Sequence, residues 1–453
     1  WVYDDSFMLA VGGGTRLMDG GDPTNGSSAN WQNYGVGLPP RGVWGADPQN
    51  IWAVGGDTTY GRITYFDGNA ENTWSIEVTE SFRPFNGIDG VDSGEVVYET
   101  VDFAIGSDPL EFRRYYTSSL WDQGTVGERL GDNWTHIYEW RLDTNYEGIS
   151  DRVRITDYRG TEYVFDVGAT SNTQVSPTWA NVSLTINNGT YILVDHEEER
   201  MYAVDTNGLL WIEDRNGNRH TLIYNQGYLT SVINGKENQI AFEYTQGGKL
   251  ARVFVPEGGE ELEVAFTYSG TELTAATKSS GAVTEYAYTG AALLTSVSVG
   301  GATRQVWDYG SQDRVIATTL AGGGPFIYTY NGSEFLVTEP GATTRRYVHD
   351  DEGRLLSMTN GVNTTLGFGY DSDGRRTSVT DGMNRVTSWD YDPVSRKLQT
   401  ITEPGNFVTR LAYEAGSSAL GVTFFNLTGI EHPDSTTEIL GYDSNGNMTR
   451  ILR

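Results

Sequence analysis

Tyr370-Asp371-Ser372-Asp373-Gly374-Arg375, carried on by Thr377-Ser378-Val379 and answered 21 positions later by Tyr391-Asp392-Pro393-Val394-Ser395-Arg396-Lys397-Leu398, is the stretch from which the fold is read. A tyrosine closes a short strand, a polar turn follows, and a second short run with apolar leanings leads on to the next unit. Carried outward in both directions, the same spacing sets anchors at Tyr202, Tyr224, Tyr244, Tyr268, Tyr288, Tyr309, Tyr330, Tyr370, Tyr391, Tyr413 and Tyr442, with His349 standing where one more is due. Upstream of most anchors the chain alternates. Leu262, Val264, Phe266 and Tyr268 oppose Glu261, Glu263, Ala265 and Thr267, the period-two mark of a half-buried strand. One repeat is therefore a strand, a turn and a strand, joined to the next by another turn such as Glu403-Pro404-Gly405-Asn406. An internal period of this size predicts a quasi-one-dimensional, all-β architecture that grows by adding hairpins.

A lone hairpin is marginal in water, so successive hairpins are expected to join edge to edge into one sheet. The residues two before the anchors, Phe242, Phe266, Tyr286, Trp307, Tyr328, Phe368, Trp389, Leu411 and Leu440, share a face with the tyrosines because strand side chains alternate. Aromatic neighbours across such a face add about 0.5–1.5 kcal/mol per pair beyond burial, which fixes register. Asp371, Asp392 and Asp443 read as turn formers that bond their own backbone.

Composition agrees with strands and turns: 56 glycines and 27 tyrosines in 453 residues leave little room for helix. The net charge of −29, from 60 acidic and 31 basic residues, repels nucleic acid and anionic membrane surfaces. With no cysteine there are no disulfides, zinc-thiolate sites or thiol nucleophiles. The charge-free windows 286–303 and 315–333 are broken by glycine, serine and threonine, so no membrane span is expected. The chain opens at Trp1-Val2-Tyr3-Asp4, without a methionine or a basic start, and reads as a segment of a longer or processed polypeptide.

The first 84 residues carry a different repeat. Trp1, Asp4, Ala10, Val11, Gly12, Gly13, Thr15 and Trp31 recur 43 positions on as Trp44, Asp47, Ala53, Val54, Gly55, Gly56, Thr58 and Trp74. The unit from Val43 to Trp74 resembles a four-stranded blade of bacterial β-propellers. Residues 85–199 contain Pro109-Leu110-Glu111-Phe112-Arg113-Arg114-Tyr115-Tyr116, Gly131-Asp132-Asn133-Trp134-Thr135-His136 and Asp157-Tyr158-Arg159-Gly160. These strings resemble the entry segment of bacterial Rhs proteins. The array over 200–453, with Tyr370-Asp371, Tyr391-Asp392 and Tyr442-Asp443 as its clearest copies, is similar to the tyrosine-aspartate repeat of the Rhs and teneurin superfamily. That resemblance implies a spiral of stacked hairpins preceded by blades and a β-rich cap. It also implies a shell that encloses or presents a C-terminal cargo or toxin.

Sites of chemistry are weighed against that scaffold. Asp371-x-Asp373 offers oxygen ligands, but an EF-hand loop needs a glutamate twelve positions in, where Gly382 stands. The five histidines, His136, His196, His220, His349 and His432, lack metal-site spacing, and Gly12-Gly13-Gly14 has no helix behind it. No catalytic, cofactor or metal residue is therefore expected. The resemblance would permit a self-cleaving Asp-Pro segment, yet Asp392-Pro393 continues as Val394-Ser395 and departs from the family pattern. Sequons at Asn133, Asn181, Asn188, Asn331, Asn363, Asn426 and Asn447 permit glycosylation without requiring it. The expected role is a non-enzymatic, secreted or surface-exposed bacterial scaffold. Its partners are polypeptide cargo or neighbouring segments of the same longer chain, with cell-surface glycans a further candidate. A fibre or adhesin component is the alternative, and a carbohydrate-active enzyme the weaker one.

Overall fold

The computed structural model describes the backbone of eight strands between residues 2 and 78. It describes 94–452 with side chains, apart from 107, 119–128, 169–171, 178–179, 257–261, 360–364, 418–420 and 445, and gives 417 as backbone alone. The chain divides into two compact units, Trp1–Phe82 and Arg83–Arg453.

In the first unit each copy of the 43-residue repeat makes its own antiparallel four-stranded sheet. Strands β1 (Val2–Asp4), β2 (Phe7–Val11), β3 (Thr15–Asp19) and β4 (Trp31–Tyr34) pair in chain order, as do β5 (Pro40–Asp47), β6 (Asn50–Gly55), β7 (Gly61–Phe66) and β8 (Trp74–Val78). The repeated Ala-Val pairs fall in β2 and β6, and the repeated tryptophans open β4 and β8. Four strands per copy is the strand count of a propeller blade. Trp1, Gly12, Gly13, Gly14, Gly56 and Thr58 lie outside the described residues.

The second unit holds two small sheets and one very long one. Strands β9 (Val97–Ile105), β10 (Leu110–Thr117) and β11 (Trp134–His136) form a three-stranded sheet with β10 in the middle. Strands β12 (Arg141–Asp143), β13 (Arg152–Thr156), β14 (Glu162–Val167) and β15 (Asn172–Ser176) form a four-stranded meander. Everything from β16 (Val182–Asn187) to β41 (Met448–Leu452) is one antiparallel sheet of 26 strands, each paired with its neighbours in chain order. It starts before residue 200, because Val182-Ser183-Leu184-Thr185-Ile186 already alternates and needs no tyrosine anchor to pair. No α-helix occurs among the described residues.

The anchors mark a recurring irregularity. Register slips by one residue next to Tyr224, Tyr244, Tyr268, Tyr288, Tyr309, His349, Tyr370, Tyr391, Tyr413 and Tyr442. A bulge bends its strand and increases twist, so a bulge at nearly every hairpin curls the sheet in one sense. Tyr330 is an exception, pairing with Phe335 without a slip. Tyr202 is another, and corrects the reading of it as an anchor. The slip in its strand falls between Ala203 and Val204, so Val204 holds the anchor position and the Tyr202 phenol donates to Glu198 Oε2 at 3.0 Å.

The turns after the anchors are closed by carboxylates. Asp371 Oδ1 accepts the N–H groups of Asp373 and Arg375 at 3.0 and 2.9 Å, and Gly374 takes the left-handed conformation at φ 83°. Asp392 and Asp443 act alike, toward Val394 and Ser395 and toward Asn447.

Curling brings distant hairpins together. Asn181 Nδ2 donates to Ser395 O at 3.1 Å, Lys397 Nζ lies 3.6 Å from Glu197, and Arg215 bonds Asn426. Residues some two hundred positions apart thus meet where the sheet has come round on itself.

Candidate functional site

Nine of the anchor tyrosines do one repeated piece of chemistry. The hydroxyl of Tyr224 donates to Leu209 O at 2.8 Å, that of Tyr244 to Leu229 O at 3.0 Å, and that of Tyr268 to Leu250 O at 2.6 Å. Tyr288, Tyr309 and Tyr330 continue the series to Leu273, Leu294 and Val315 at 2.5, 2.7 and 2.6 Å. Tyr370, Tyr391 and Tyr442 do so to Leu355, Arg376 and Leu427 at 2.9, 2.8 and 2.9 Å. The acceptor is always the residue that pairs with the anchor position of the preceding hairpin, at its bulge. A bulge breaks the ladder locally, and the phenol of the next hairpin supplies a donor there. Burial pushes the phenols of Tyr224, Tyr244, Tyr268, Tyr288 and Tyr309 well above their ordinary pKa, so they stay neutral donors. Tyr413 and Leu398 instead line a cleft of about 670 Å³, together with Tyr442, Phe425, Glu197, Glu199 and Arg215.

The tyrosine face is where the chain receives other chain. Phe112 of β10 sits 5.9 Å from Phe242 and 6.1 Å from Phe266, and Trp134 of β11 meets Tyr286 at 4.8 Å. Trp140 stacks on Tyr202 at 4.5 Å. Arg114, 1% exposed, binds Asp102 through two hydrogen bonds of 2.6 and 2.9 Å and gives a third, of 2.8 Å, to the Tyr286 hydroxyl. Its guanidinium lies over the rings of Trp134, Phe266 and Tyr286, which offsets the cost of burying the charge. Polar bonds complete the fit: Tyr116 accepts the Leu294 N–H at 2.8 Å, Trp134 Nε1 donates to the Tyr288 hydroxyl at 2.8 Å, and Leu250 N donates to Arg129 O at 2.7 Å.

That cover is confined to part of the sheet. Phe242, Phe266, Tyr286 and Trp307 are buried, and one core runs continuously from Val96 to Val315. A small separate cluster follows at Val337, Tyr347 and Leu355. Beyond it Phe368, Trp389, Leu411 and Leu440 are only half-buried, with their anchors Tyr370, Tyr391, Tyr413 and Tyr442. The expected aromatic face therefore exists along the whole array, but part of it is filled by residues 94–165 and part is open.

Among the described residues no three His, Asp or Glu side chains converge as a metal site. His136 packs between Phe112 and Phe242 at 5.5 and 5.8 Å, and burial lowers its pKa to about 3. Ser183 Oγ and His196 Nε2 are 2.9 Å apart, in the manner of a nucleophile and its base, but among the described residues no carboxylate orients the imidazole, and Phe424 covers the ring at 6.2 Å. Asp195, pushed up to about 7 by burial and then by Glu198, is engaged by the N–H groups of Glu197 and Glu198. Asn133 is buried and Asn181 and Asn426 are engaged across the curl, which closes three of the sequons to glycan. Asn363 lies outside the described residues. Sequence reasoning missed the phenol-to-carbonyl bond. Its signal was present as the apolar residue five or six places after most anchors, among them Leu229, Leu250, Leu273, Leu294 and Leu355.

Residues 370–408, two of the clearest hairpins, match the family described as RHS Repeat. The chain carries Rhs repeats. Residues 90–165, whose described part lies on the tyrosine face, match a domain of unknown function, DUF6531. No match is found among curated proteins. Solved structures similar to the Rhs chain include a TcdB2-TccC3 complex without its hypervariable C-terminal region, at 10% identity and a TM-score of 0.36 over 79% of this chain and 26% of that one. A Photorhabdus luminescens Tc holotoxin pore is similar at 11% identity and a TM-score of 0.36, over 91% of this chain and 26% of that one. The chain thus spans about a quarter of the length of the solved chains that it matches. Among the described residues no helix is long and apolar enough to cross a membrane.

Proposed function

We propose that the Rhs array is the wall of a non-enzymatic scaffold in a secreted or surface-exposed bacterial protein, enclosing or presenting a polypeptide, such as a toxin, of the same longer chain. The observation that carries this reading is the division of the tyrosine face. Where residues 94–165 lie on it, the face holds polypeptide by aromatic packing, hydrogen bonds from its backbone and a bond from the buried Arg114 to the Tyr286 hydroxyl. From Phe368 to Tyr442 the same chemistry is only half-buried among the described residues. A surface of rings with carbonyl and hydroxyl partners receives extended chain without demanding a particular sequence.

The curl supports enclosure over an extended fibre, since a straight spacer has no use for bonds between its early and late hairpins. No feature of the described residues favours glycan or carbohydrate chemistry over this reading. The full natural polypeptide tests it. In limited trypsin digestion its cargo segment should resist with the native array and become sensitive when Phe368→Asp and Trp389→Asp put charge on the open face. Equal digestion of the two would refute enclosure by that face.

A further inference from the structure

The curl is fastened by a device that the repeat does not require. Most strands of the array run five to eight residues, whereas β38 (Phe407–Ser417) has 11 and β39 (Thr423–Glu431) has 9. The excess forms an arm, Glu414–Ser417 paired with Thr423–Asn426 in its own ladder. Phe424 on this arm, 2% exposed, packs against Val194 of β17 (Thr190–Asp195) and Met201 of β18 (Arg200–Asp205), both 1% exposed or less. Strand alternation puts those two on the face opposite Leu193 and Tyr202, so the first strands are apolar on both sides here. Ile192, Trp211 and Val422 pack against this cluster, and the rest of the fastening is polar. It consists of Arg215 to Asn426, Glu197 to Lys397 at 3.6 Å, Arg396 Nη1 to Ala180 O at 3.4 Å and Asn181 to Ser395 O. The 670 Å³ cleft opens directly beside it.

We propose that this fastening is a releasable latch: the arm lifts from β17 and β18 as a unit, parting the wall along its seam while the hydrogen-bond ladders on either side stay intact. Three observations carry the inference. The arm keeps its own β38–β39 ladder when it lifts, so no strand pairing is lost. Lifting breaks one apolar cluster and several partly exposed ion and amide pairs, which are individually weak. By contrast, residues 94–165 are held to the array by a continuous core and by the buried Arg114, which bonds the Tyr286 hydroxyl, so that contact has no comparable weak line. Parting at the arm would reach the tyrosine face without unfolding a hairpin.

The absence of cysteine makes the test clean. Val194→Cys places a single thiol beneath the arm, and Val253→Cys places one in the array core, each at a site 1% exposed or less. Under native conditions a maleimide should label the first at least tenfold faster than the second, with circular dichroism unchanged. Adding Lys397→Glu should quicken labelling beneath the arm and leave the core thiol as it was. Should Val194→Cys fail to fold, Met201→Cys probes the same patch. Equal labelling rates for the two thiols, or a Lys397→Glu effect shared by both, would overturn the latch.

Discussion

At the scale of the residue, the repeat tyrosine is a hydrogen-bond donor held in a half-buried slot, and the two roles separate by mutation. Tyr370→Phe keeps the ring and removes one bond to Leu355 O, which should cost about 1 kcal/mol of stability in denaturant melts. Tyr370→Ala also loses packing. Because the ring is only half-buried, the cost should fall near the low end of the roughly 3–5 kcal/mol of a fully buried aromatic. Tyr288→Phe should cost more than Tyr370→Phe, about 2 kcal/mol or above, since it strands both Leu273 O and the Trp134 indole N–H. Equal losses for the two Phe variants would show that the indole bond adds nothing. The spacing set Tyr202 two places before Val204, where its strand slips, and set Tyr330 where no slip occurs. What the phenol does was not legible in that spacing, because its partner lies in the preceding hairpin and only the bulge makes that carbonyl available.

At the scale of the element, the hairpins were readable and their cover was not. Alternation and turn chemistry located the strands around Tyr370 and Tyr391 because each signal is local to about ten residues. No local signal says that Phe112 and Trp134 will lie on Phe242, Phe266 and Tyr286, more than a hundred positions away. The both-sided apolar run Tyr191-Ile192-Leu193-Val194 was the one hint of a second covering layer, and the arm of β38 and β39 supplies it. Cover by residues 94–165 should depend on the Arg114–Asp102 pair. Asp102→Ala leaves a guanidinium buried without its carboxylate and should destabilise the second unit by about 3–5 kcal/mol. Hydrogen exchange should locate the loss in β9–β11 and the strands beneath them. A loss confined to exposed loops would contradict this.

At the scale of the whole molecule, acid should act through the buried imidazoles. His136 is held neutral with its pKa lowered to about 3, and His196 is lowered by burial and then by Lys397. An unfolded histidine binds a proton near pH 6.5, so each contributes stability that is complete above that value and is lost as pH falls toward its folded pKa. Between about pH 6 and pH 3 His136 alone should lower stability by roughly 1.4 kcal/mol per pH unit. His136→Phe should flatten that slope in urea melts. An unchanged slope would place the acid sensitivity elsewhere.

Because each phenol reaches only to the hairpin before it, the array is coupled like a zip fastener rather than a knot. Pulled from the Met448–Leu452 edge in an optical trap, the wall should give way tooth by tooth once the arm has let go, each event releasing about 20 residues, or roughly 70 Å of thread. A force trace of evenly spaced teeth would be the mechanical signature of the periodicity that Tyr370 and Tyr391 first announced.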